Sequence, residues 1–309
     1  MTAQRNRLDA DCWHFSHGPI DVIAEAHGDA AVVAAAHEAA WQRFTGVLDE
    51  LVGELRELRR PIQTVQATHT LRGPIARRMW SACAPFGAGF ITPMAAVAGS
   101  VAQELVACYL RGGIERAWIN NGGDIALHLA PGAQVRIGLL ADIATFDWRD
   151  AGPLFTDGQF DITADMPVRG VATSGWRGRS LSLGIADSVT VLATTAAEAD
   201  AAATVIANAV DVDDAGIRRK PASECKDDSD LGDIPVTVDV ATLDPLQVRR
   251  ALEAGAACAK ALQQAGRIHA AVLVCQKQWR MVEPLCSDAL QNAQPAGRVA
   301  MSAVGSVFA

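Results

Sequence analysis

Hydrophobic residues recur at spacings of three and four through Phe44, Val47, Leu48, Leu51, Leu55 and Leu58. That stripe predicts a long amphipathic helix from Ala30 to Arg60, stopped by Pro61. Thr92-Pro93 pairs a capping residue with proline at the first helical position, so a second helix is expected to run through MAAVAGSVAQELVACYL to Gly112-Gly113. Its first half is small-sided (Ala95, Ala96, Ala98, Gly99, Ser100), which implies close approach by another helix or by a ligand. AWIN and IALHL flank the glycine turn NGGD and predict a hairpin, with QVRIGLL as a neighbouring strand. Mixed loop signals occupy residues 141 to 170. Beyond them come a strand from Ser188 to Ala193, an alanine-rich helix, and a charged loop of roughly two dozen residues, DVDDAGIRRKPASECKDDSDLGDIP. A strand near VTVDV, a helix from about Pro245 to Gly266, a strand near HAAVLVC and a continuation in WRMVEPL complete the pattern. The expected class is α+β, with mixed β-sheets packed by helices in one domain, or in two intimate subdomains spanning residues 1–309.

The alanine-rich helix poses a chemical question. Thr195 and Glu198 form a capping box, which sets the register of the helical residues after it. Steps of four residues advance about 400°, so Asp200, Thr204 and Asn208 share one oxygen-rich ridge among alanines. On spacing alone this is either a ridge facing water or hard-oxygen ligation suited to Mg²⁺ or Ca²⁺. Two further stretches can meet a polar ligand. In NNGGDI, bare glycine N–H groups lie beside Asn120, Asn121 and Asp124, although any tight turn selects these residues too. In ATSGWRGR, Thr173, Ser174 and Gly175 can hold a polar edge, Trp176 can stack on a ring, and Arg177 or Arg179 can meet a phosphate.

Composition narrows the partners. A formal net charge of -8 and a pI near 5.4 argue against nucleic acid and an anionic membrane, and favour a small ligand. The short basic cluster of Arg72, Arg77 and Arg78 suits a local anion contact or a solvated helix end. Seven dispersed cysteines without a CxxC pair suggest neither disulfides nor zinc, and no apolar leader or membrane-length run occurs, so a cytoplasmic location is expected. The seven histidines show no ligating spacing, and no GxSxG, Walker or GxGxxG motif is present. DDSDLGD fails the calcium-loop template, since Val238 stands where a bidentate Glu is needed.

Taken in order, APFGAGFITPMAAVAG, INNGGDIALHL, GVATSGWRGR and DSVTVLATTAAEADAAATVIANAV resemble the ApbE flavin transferase family, which moves FMN from FAD to a protein Thr or Ser. The chain resembles still more closely an uncharacterised branch of that superfamily, through GPID (Gly18 to Asp21), ARRMW and DSDLGD...VTVDV. The resemblance implies an ApbE-like fold, FAD and Mg²⁺, with Asp200, Thr204 and the Ala98 backbone oxygen as metal ligands. It sets Asn121, Gly122, Gly123, Asp124, Thr173, Ser174 and Gly175 near the nucleotide. One departure stands out: the DPxTG segment and histidine of the transferases have no counterpart between Gly175 and Ser188, where Asp187 is the remaining candidate acid or base. Three readings are open. The first is an Mg²⁺-dependent protein acting at the flavin pyrophosphate, by FMN transfer or FAD hydrolysis, with an acceptor flavoprotein as partner in the former case. The second is a catalytically diverged flavin- or nucleotide-binding accessory protein for a redox enzyme, and the third an enzyme using the same metal corner on an unrelated small substrate. A homodimer is the ordinary default.

Overall fold

The computed structural model describes residues 2–63, 69–139, 155–156, 158–178, 180–227, 229–285, 299–300 and 306–308. Residues 141–154 and 157 of the mixed stretch, together with Arg179 and Cys286, lie outside them.

The chain opens with a meander, β1 (Gln4–Asp9), β2 (Cys12–His17) and β3 (Ile20–Gly28). Strict alternation along β3 buries Ile20, Val22, Ala24 and Ala26. Helices α1 (Ala30–Phe44), α2 (Val47–Gly53) and α3 (Leu55–Leu58) come next in place of the single long helix expected. The hydrophobic stripe is real, since Phe44, Val47, Leu51 and Leu58 are buried. Continuity fails at Thr45-Gly46, where the Thr45 hydroxyl donates to the Gln42 carbonyl, and again after Gly53. Periodicity reports the buried face and is blind to such breaks.

After α4 (Pro74–Cys83), Thr92 caps a short 3₁₀ turn, Pro93–Ala96, which leads into α5 (Val97–Val106). The break between them is at Ala96, φ −127° and ψ 21°, and α5 therefore has an N-terminus that its own N-cap residue cannot satisfy. The hairpin β4 (Ile114–Asn121) and β5 (Asp124–Leu129) closes as expected. Asn121 pairs with Asp124, and Gly122 and Gly123 take φ of 66° and 112°, the left-handed values a two-residue turn requires.

QVRIGL of the expected strand forms β6 (Gln134–Leu139), with Leu140 outside the described residues, but β6 is not paired with that hairpin. It belongs to a separate small sheet with β8 (Gly158–Thr163) and, in parallel, β16 (Ser306–Phe308), while β7 (Phe155–Thr156) pairs with β15 (Val299–Ala300). The neighbour of β5 is β9 (Gly170–Ser174), followed by β10 (Ser188–Ala193) and α6 (Ala196–Ala209), the last two as the sequence predicts.

The charged stretch expected as a loop carries β11 (Ile217–Pro221) and α7 (Ala222–Cys225), with β11 paired to β12 (Pro235–Val240). The β-bonding is screened from sequence reading by the charges along it: Arg218 pairs with Asp239 across the strands on the exposed face, while Arg219, opposite the buried Thr237, pairs with Asp211 and donates to the Leu183 carbonyl. Helix α8 (Pro245–Gln264) and strands β13 (Ala270–Cys275) and β14 (Gln278–Val282) complete the described elements up to Leu285.

The main sheet is antiparallel throughout and has nine strands in the order β1-β2-β3-β4-β5-β9-β10-β13-β14. The α+β class holds, and the parallel pairing among the described residues is that of β16 with β6. One hydrophobic core gathers α1, α2, α4 and α5 over β2, β3 and β4, and a second gathers α6 and α8 over β9, β10 and β13. Helices α5 and α6 meet where the two adjoin.

Candidate functional site

The contact of α5 with α6 is as close as backbone allows. A Cβ built on Gly99 would lie 2.2 Å from the Ala196 carbonyl oxygen and 2.9 Å from the Asp200 Cβ. The small residues at the start of α5 thus serve the approach of another helix, and that approach delivers a carboxylate. Asp200 Oδ2 accepts a hydrogen bond from the Gly99 N–H at 2.9 Å. Asp200 therefore caps the N-terminus of α5 from a neighbouring helix, the role Ala96 cannot fill. The ridge is not a solvent-facing one, and its members have different jobs. Asn208 accepts from the Ser182 hydroxyl at 3.1 Å and the Leu183 N–H at 2.9 Å, anchoring the loop before β10. Thr204 lies one turn beyond Asp200, half-buried, and its hydroxyl makes no hydrogen bond among the described residues.

The hairpin turn reaches the same corner. Asn121, 7% exposed, donates from Nδ2 to the Ala98 carbonyl at 3.1 Å, while Asn120 Oδ1 accepts the Gly123 N–H at 2.8 Å and holds the turn. Asp124, 8% exposed, accepts the Thr173 N–H at 3.1 Å, and the Thr173 hydroxyl meets that of Thr190 at 2.9 Å. Ser174 is half-buried at the end of β9, and Gly175 is buried where a Cβ would strike the Asp187 carbonyl at 2.4 Å.

The electrostatics are those of anions gathered away from water. Burial raises the Asp200 carboxyl from 3.8 to about 7, against backbone hydrogen bonds from Gly99 and Ala98 that pull it down. Burial, and then the charge of Asp200, pushes Asp124 well above the carboxylate range against the Thr173 N–H. The buried Cys83 thiol is raised by desolvation and by the same Asp200 charge. Among the described residues no group of three His, Cys, Asp or Glu side chains is placed to hold a metal ion. The donors of this corner are two carboxylates, a carbonyl and a hydroxyl, a set suited in chemistry to a hard cation.

Asp187 is differently situated. Its Oδ2 accepts the Gln276 N–H at 2.5 Å, and its Oδ1 faces Trp176 Nε1 at 3.3 Å and Arg177 Nε at 3.0 Å. The Arg177 guanidinium also lies 5.2 Å from the Trp176 ring centroid. Trp176 and Arg177 are thus engaged with Asp187, at the start of β10. Of the basic cluster, Arg78 meets Glu104 at 2.9 Å and the Ser100 carbonyl at 3.1 Å, an internal ion pair.

Comparison with known proteins decides the family. The AbpE bacteria family model matches residues 5–281. The chain belongs to the AbpE bacteria family. Curated relatives of this AbpE bacteria member include UPF0280 proteins from Methanosphaerula palustris, 41% identical over 140 residues, and from Methanopyrus kandleri, 37% identical over 169 residues. Those matches cover 45% and 54% of this chain and 54% and 61% of the relatives, so the chain spans little more than half the length of the curated proteins it matches. Among solved structures, a mutant of the flavin transferase ApbE from Vibrio cholerae is similar over 90% of this chain and 97% of that one, at a TM-score of 0.44 and 14% identity.

The sequence named Asp200, Thr204, Ala98, Asn121, Asp124 and Thr173 individually. What it lacked was their pairing: Asn121 with the Ala98 carbonyl, Asp124 with the Thr173 N–H, and the charge of Asp200 on Asp124. No local signal encodes contacts between residues 23 to 101 positions apart.

Proposed function

We propose that this chain is a divalent-cation-dependent, FAD-using protein that cleaves or transfers at the flavin pyrophosphate. The reading is supported above all by the convergence of four separate motifs on one corner through three hydrogen bonds. These are Gly99 to Asp200, Asn121 to the Ala98 carbonyl, and Thr173 to Asp124. Asp200 and Thr204, with the Ala98 carbonyl, are assigned to Mg²⁺; Asn121, Gly122, Gly123, Asp124, Thr173, Ser174 and Gly175 are assigned to the nucleotide. A divalent cation, when bound, neutralises pyrophosphate charge and activates the leaving group. The chain's own residues orient the substrate: Gly122, without a side chain in the turn that Asn120 and Gly123 hold, lets phosphate approach the backbone, and the part-buried Thr173–Thr190 pair fixes the end of β9.

A second reading, a flavin-binding accessory protein without transfer chemistry, is favoured by one observation. Asp187, the acid or base candidate in place of the missing histidine, has its carboxylate taken up by Gln276, Trp176 and Arg177. Incubation of the full chain with FAD and Mg²⁺, then chromatography for FMN and AMP, separates the two. Accumulation of both products is expected of the first reading. Tight FAD binding without turnover selects the accessory role, and absence of flavin binding discards both.

A further inference from the structure

The assignment of Asp124 to the nucleotide creates an electrostatic difficulty. A carboxylate facing a phosphate is repulsive unless a cation lies between them. The hairpin register settles which way Asp124 points. Asn121 and Asp124 are directly paired across the β4–β5 turn, so their side chains leave the sheet on the same face. Asn121 reaches the Ala98 carbonyl on that face, and the next residue, Gly99, donates to Asp200. Asp124 is therefore beside Asn121 and beneath the start of α5, on the side where α6 delivers Asp200.

Among the described residues neither carboxylate has a cationic partner. Asp124 is held by the Thr173 N–H and Asp200 by the Gly99 N–H, and among the described residues neither forms an ion pair with Lys, Arg or His. The Thr173 bond takes Oδ1 of Asp124, and the Gly99 bond takes Oδ2 of Asp200. Two inward carboxyls with backbone donors alone either keep a proton or take a counter-charge from solution, and ionisation of both calls for a cation between them.

We propose that Asp124 is a direct ligand of the divalent cation, so that the ion is shared between a carboxylate of β5 and a carboxylate of α6. This rests on the metal corner assigned above and deepens it. The ion then ties the hairpin to the helix pair, and Asp124 contributes to nucleotide binding only through the metal.

The test is titration of the full chain with Mn²⁺ alone, read by calorimetry and by the loss of free-Mn²⁺ paramagnetic signal. Asp124→Asn is expected to weaken Mn²⁺ binding roughly tenfold or more, the scale on which ligand charge tunes such sites. Asp124→Cys distinguishes ligation from a merely structural role: thiolate in place of carboxylate raises the Cd²⁺-to-Mn²⁺ affinity ratio above that of the parent chain, whose own thiols serve as the control. An unchanged ratio, or Mn²⁺ binding by Asp124→Asn equal to the parent while Asp200→Asn has lost it, overturns the inference and leaves the Asp200 corner intact. A parent chain that binds no Mn²⁺ overturns both. Should Asp124→Asn not fold, Asp124→Glu keeps the charge and displaces it, and unaltered Mn²⁺ affinity in that variant counts against ligation.

Discussion

Asp200 is subject to two influences that pull against each other. As the cap of α5 it is favoured ionised by the Gly99 N–H and the helix N-terminus, yet burial lifts its carboxyl to about 7. Because that value lies above the ordinary 3.8, the cation-free folded state binds more protons than the unfolded chain through the intervening range. Stability without divalent cations is therefore fullest at the acidic end of this window and declines as pH rises. Melting in chelator should give a Tm a few degrees lower at about pH 8 than at about pH 5, and Asp200→Asn should reduce that difference, the rest belonging to Asp124, which burial raises in the same direction. Asp200→Ala should abolish divalent binding while the fold persists; unchanged calorimetric affinity would remove this residue from the metal corner. Asn208, on the same ridge, belongs to a different account. Asn208→Ala should cost about 1–3 kcal/mol through the unsatisfied Leu183 N–H and Ser182 hydroxyl, with no change in metal affinity.

Among elements, α5 and α6 show what periodicity conveys and what it omits. The capping box fixed the start of α6 at Ala196, and Thr92-Pro93 marked the entry to the α5 region. The break at Ala96 left no trace in the sequence, because its N–H groups are satisfied by a side chain 101 positions away. The division of the first long helix at Gly46 and Gly53 was legible in principle, since glycine weakens helix interiors, but the hydrophobic stripe continues across it. β6 was legible as a strand and misassigned in partner, for adjacency in sequence does not determine hydrogen-bonding neighbours. The close helix contact gives a sharp expectation. Gly99→Ala must displace the Ala196 carbonyl and should destabilise the protein by roughly 1–3 kcal/mol or more, measured by denaturant unfolding. Gly53→Ala has open space around its Cβ and should be nearly neutral or mildly stabilising.

For the molecule as a whole, the corner occupies the line along which two hydrophobic cores adjoin. α5 belongs to one core and α6 mainly to the other, while the nine-stranded sheet runs beneath both. A ligand that engages both helices is thus expected to raise the Tm of the entire chain, in line with the mass-action dependence of any native-state ligand. Calorimetry with increasing Mg²⁺ checks this; a shift confined to part of a resolved multistep transition would show that the two cores melt independently. One feature of α6 bears on how such binding is felt. Its buried surface is almost wholly alanine: Ala196, Ala197, Ala199, Ala201, Ala202, Ala203 and Ala207, with Ile206 as the exception. Alanine has no rotamers to adjust, so the helix is mechanically a rod in a close-fitting bearing. Load applied at Asp200 cannot be damped by side-chain repacking along its length; it is borne at the far end by Asn208 and the Ser182–Gly184 loop on which Thr237 also rests.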